Sequence, residues 1–69
     1  MKKGEWYKDI PVVPVSYDEA LAMEACGVLV LVSTPRLDDL GMYYTTKDVA
    51  SHITARLFFI AAQGDEQHA

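Results

Sequence analysis

The sequence predicts a small two-layer α/β (α+β) domain in the order β-α-β-β-α: a three-stranded mixed sheet with two helices packed on one face. Three observations point there. The run Val28-Leu29-Val30-Leu31-Val32 lies between Gly27 and Ser33-Thr34-Pro35, as a strand buried on both faces would. Ser16, with Glu19 three residues on, is a helix-start signature ahead of residues 17–26. A second apolar stripe at helical spacing, Val49, Ile53, Leu57 and Ile60, follows a further capping signal, Thr45 with Asp48.

Taken in order, residues 10–15 carry β-branched side chains but also Pro11 and Pro14. Proline has no N–H for a central ladder, so this segment is expected at a sheet edge, with Trp6-Tyr7 extended before it. Helix 17–26 should stop at Gly27, which adopts the left-handed conformation cheaply. Its apolar face is interrupted by Glu24. Strand 28–32 is expected at the sheet centre, parallel to 10–15 through a right-handed crossover. Residues 36–41, with their Asp pair and glycine, read as a loop, and Met42-Tyr43-Tyr44-Thr45 as a strand in hairpin with 28–32. A long helix should fill 46–63 and end at Gly64, leaving residues 65–69 as a frayed polar tail beyond a single globular domain, 1–64.

With 69 residues, 51% hydrophobic and 23% charged, the chain has room for one modest core and little for a built-in reaction cleft. One cysteine, Cys26, excludes an internal disulfide and fits a reducing compartment. The expected location is cytoplasmic. The N-terminal basic pair lacks the apolar run of a signal peptide. The charge-free stretch 25–35 falls far short of the roughly 20 apolar residues of a membrane span.

No phosphate loop, nucleophile elbow or metal-ligand spacing occurs, so no enzyme activity, cofactor or metal is expected. Cys26, at a helix C-terminus, is placed against thiolate formation and reads as a small buried hydrophobe. His52 reads as the partner of Asp48 one helical turn earlier. The net charge of −4 disfavours direct nucleic-acid or anionic-membrane binding.

What remains is surface. Phe58 falls opposite Val49 on the expected long helix, among small residues. Of Tyr43 and Tyr44 only one can face inward. A short, acidic, motif-free chain looks like the small inhibitors with which phages block bacterial defence, the anti-CRISPR and anti-restriction proteins. That likeness of class implies a non-enzymatic protein-binding inhibitor that blocks the groove of a nucleic-acid-handling complex. Asp18, Glu19, Glu24, Asp38, Asp39 and Asp48 would then replace phosphates, with Tyr43, Tyr44 and Phe58 as further contacts. The alternative is a homodimerising accessory or regulatory domain that uses the Phe58 face or an open sheet face.

Overall fold

The protein is described here by a computed structural model, covering residues 2–52 and 57–62. It is an α+β domain built on a five-stranded antiparallel sheet: β1 (Trp6–Lys8), β2 (Val12–Val15), α1 (Tyr17–Ala25), β3 (Val30–Ser33), α2 (Pro35–Asp39), β4 (Met42–Thr45) and β5 (Leu57–Ala61). A 3-10 turn, Val49–His52, follows β4. The strand order is β1-β4-β3-β5-β2, so β3 is central and the proline-bearing β2 is an edge, both as the sequence predicts.

Three expectations about the elements need correction. The mixed three-stranded sheet is an antiparallel five-stranded one, because β1 and β5 join it. The helix expected over 46–63 is absent from its described part. Leu57-Phe58-Phe59-Ile60-Ala61 forms β5 instead and lies between β2 and β3. Five consecutive apolar residues satisfy a helix stripe and a doubly buried strand equally, and the sheet decides by offering two open edges to one strand. Because β5 is antiparallel to both β2 and β3, those two do run in the same direction with α1 between them, but they are not neighbours. The segment 36–41, read as a loop, contains α2, which Thr34 caps by accepting from the Leu37 N–H at 3.3 Å and Pro35 starts. The expected helix stop at Gly64 and the tail 65–69 lie outside the described residues.

Helix α1 starts as its sequence dictates. The Ser16 hydroxyl accepts from Glu19 N–H at 3.1 Å, and the Glu19 carboxylate accepts from Ser16 N–H at 2.9 Å. Cys26 is the C-cap, exposed rather than buried as expected, and Gly27 turns the chain at φ +87°.

Directly paired residues share a sheet face. One cross-strand row runs Trp6, Tyr44, Val32, Phe58, Val15. Helix α1 and Val49 cover the Phe58 end of this row, where Ala20, Val30, Val32 and Phe58 are buried together. The expected exposed Phe58 face is thereby overturned: Phe58 is core, its ring 5.5 Å from that of Tyr17. The opposite face buries Leu31, Tyr43 and Phe59, with Ile10 against them.

That second core is closed by curvature. Asp9 N–H donates to Gly41 at one sheet edge (2.7 Å), and Ala62 N–H donates to Pro11 at the other (3.0 Å). Only Ile10 separates these two anchor residues. Three residues reach at most about 11 Å, whereas the edges of a flat five-stranded sheet lie about 19 Å apart. The sheet is therefore strongly curled, and the corner of chain at Asp9, φ +58°, closes it over Leu31, Tyr43 and Phe59.

Candidate binding cleft

Helix α1 has nine residues and packs mainly on β5, β3 and the 3-10 turn. It is too short to cover the whole row beneath it, and among the described residues α1 does not pack over the β1–β4 end. There a cavity of about 260 Å³ opens, floored by Val32 and Tyr44 and walled by Trp6, Leu37 and His52, with Ser33 and Thr34 at its end. Trp6 is 55% exposed, and its ring lies 5.2 Å from that of Tyr44, tilted by 56°. An exposed indole fixed against a second aromatic is rigid contact area with a polar handle, the composition of a binding hot spot.

His52 belongs to the 3-10 turn and lines this cleft, where the sequence suggests a solvated partner of Asp48 on a continuous helix. Leu37 reaches the cleft because α2 packs beside β4. Trp6 is legible in the sequence as rigid aromatic area with a polar handle, whereas Leu37 does not stand out there. An exposed tryptophan and a half-buried leucine from separate elements meet only when the sheet forms. The exposed aromatic at β1 could have been found from the short amphipathic alternation of Trp6-Tyr7-Lys8.

The acidic residues singled out in the sequence are not gathered into one surface. Glu19 is the reciprocal partner of the α1 cap. Glu24, the residue that interrupts the apolar face of α1, accepts from Val49 N–H at 3.0 Å and so ties the helix to the 3-10 turn. Asp38 accepts from the Tyr43 hydroxyl at 3.0 Å. Asp48 caps the 3-10 turn, accepting from Ala50 N–H at 3.1 Å. Asp18 and Asp39 are exposed, on α1 and α2 respectively. Of the aromatic candidates, Tyr44 lies in the cleft, while Tyr43 faces the other way and is 7% exposed, its ring 5.1 Å from Phe59. Burial, with the Asp38 hydrogen bond and the charges of Asp38 and Asp9 adding to it, pushes the Tyr43 phenol above its ordinary value of 10.0.

Among the described residues, no three His, Cys, Asp or Glu side chains converge as a metal site, and no helix is long and apolar enough to cross a membrane. No protein-family model, curated protein or solved structure matches this chain.

Proposed function

We propose that the protein is a non-enzymatic protein-binding domain whose contact surface is the cleft between Trp6 and Leu37. The observation that carries this reading is the exposure of Trp6 over a cavity with an apolar floor. A small domain that leaves its one tryptophan 55% exposed forgoes about 1 kcal/mol or more of burial, and exposed aromatic area of this kind marks interaction sites. Its described lining offers an imidazole and three hydroxyls, those of Ser33, Thr34 and Tyr44, but no arrangement of nucleophile, base and anion-stabilising donors, which favours binding over catalysis.

The finer proposal, inhibition of a nucleic-acid-handling complex by carboxylates that stand in for phosphates, has less support. Four of its six acids are hydrogen-bonded within the fold, and the two with no such bond among the described residues, Asp18 and Asp39, sit on different helices. The two readings separate in one experiment. Tagged protein retains a partner from cell lysate; Trp6→Ala should lose it and Asp18→Asn with Asp39→Asn should keep it. Retention by Trp6→Ala, with loss on neutralising the two aspartates, would reverse the order of the proposals.

A further inference from the structure

The two edges of the sheet differ in what they offer to another strand. In β2 the bond from Ala62 N–H to the Pro11 carbonyl sets the phase of the ladder, so Pro11, Val13 and Val15 face β5 while Val12 and Pro14 direct their backbone groups outward. The outward position of Pro14 has no N–H, so that edge is blocked at its middle. In β1 the bonds Thr45 N–H to Glu5 C=O and Asp9 N–H to Gly41 C=O set the opposite case. Glu5, Tyr7 and Asp9 face β4, and the N–H and C=O groups of Trp6 and Lys8 point outward. Among the described residues no strand pairs with this edge.

The open edge borders the cleft, since Trp6 belongs to both. Charge around it is sorted by alternation along β1. Lys8 shares the face of Trp6, and Lys47 joins it: a Cβ built on Gly4 would meet Lys47 Cε at 2.7 Å and the Tyr44 hydroxyl at 3.5 Å, so the lysine stem and the phenol share one rim. Glu5 and Asp9 alternate to the other face, where Glu5 accepts from the Tyr7 hydroxyl at 3.2 Å. Asp38 is engaged on that face too, by Tyr43. In an acidic chain, the side of β1 that carries the cleft presents lysines.

We propose that β1 accepts an extended, acidic segment of a partner protein as a sixth strand, which pairs with Trp6 and Lys8, places an apolar side chain between Trp6 and Leu37, and sets carboxylates against Lys8 and Lys47. This rests on the reading of the cleft as a protein-binding site and names the chemistry of what enters it. A second copy of this chain is a poorer occupant. The antiparallel register that uses all four outward groups, centred on Tyr7, would place Glu5 opposite Asp9 of the copy, a like-charge pair. A single-stranded nucleic acid could stack on Trp6 but would leave the outward backbone groups unpaired.

The test is selection of random twelve-residue peptides on the intact protein, followed by affinity measurement of the enriched peptides and of an oligo-thymidine of similar length. The expected peptides carry an apolar residue flanked by Asp or Glu. They should weaken about a hundredfold on Trp6→Ala, weaken modestly and lose salt dependence on Lys8→Gln, and lose about a further tenfold on Lys8→Pro, which also removes an outward N–H. The Trp6 and Lys8 amides should gain protection from hydrogen exchange in the complex. Circular dichroism of each variant separates loss of binding from loss of fold. Peptides that depend on Trp6 but are uncharged, and bind Lys8→Pro as well as Lys8→Gln, would overturn strand addition and leave the cleft reading standing. Binding of oligo-thymidine alone, or enrichment of no Trp6-dependent peptide, would overturn both.

Discussion

At the scale of single residues, Tyr43 and Gly41 show how the curled sheet constrains its side chains. The Tyr43 phenol is buried and donates to Asp38, so its ionisation is harder in the folded chain than in the unfolded one, where it titrates near pH 10.0. Above that pH the unfolded state sheds the proton first, and stability falls as pH rises toward the folded value. The contribution is fully present below pH 10. Denaturant midpoints measured from pH 8 to 11 should drop at the alkaline end, and Tyr43→Phe should flatten that drop while costing about 1 kcal/mol at neutral pH for the lost hydrogen bond. An unchanged alkaline slope in the variant would place the sensitive group elsewhere. Gly41 has φ +72°, and a Cβ there would run into the Asp9 carboxylate. Gly41→Ala should cost about 1–3 kcal/mol, read as a thermal midpoint lowered by several degrees. The sequence offers Gly41 as a turn residue but not this contact, which depends on the corner at Asp9.

At the scale of elements, the local signals were legible and the lengths were not. The Ser16–Glu19 box needs only four consecutive residues, and both of its hydrogen bonds form. Ser16→Ala should therefore cost about 1 kcal/mol, and a midpoint unchanged within error would mean the box contributes nothing to stability. The interrupted face of α1 was legible as an irregularity, but its reason was not: Glu24 meets a backbone N–H at Val49, 25 positions away. The edge position of β2 followed from its prolines, whose missing N–H groups act within the segment itself. Residues 57–61 failed because their apolar run fits two periods. A strand between two others is specified by its neighbours' free edges, which no window of sequence contains.

For the whole molecule, the curled sheet yields two small cores on opposite faces, each holding one phenylalanine of β5. A domain of this length has a total stability of about 3–10 kcal/mol, and removing a buried phenylalanine costs about 3–5 kcal/mol. Phe58→Asp, which adds an unpaired charge to that loss, should leave the protein unfolded by circular dichroism, whereas Asp18→Asn should leave the thermal midpoint within a few degrees. A folded Phe58→Asp would contradict the burial on which this account of the core rests. The position of the cleft follows from the same economy of length: the nine residues of α1 shield one end of the row and leave Trp6 at the other.

The sequence by itself determined the features whose causes are local: the central apolar strand, the first helix with its cap and glycine stop, the proline-marked edge and the acidic balance of the chain. Each depends on backbone geometry or hydrogen bonding within a few residues. The tertiary structure alone decided that residues 57–61 become a strand, that Glu24 accepts from the Val49 N–H, and that Trp6, Tyr44, Leu37 and His52 share a cleft. These outcomes depend on contacts between residues far apart in the chain, and the free energy of such contacts exists only once the sheet has curled and brought them together.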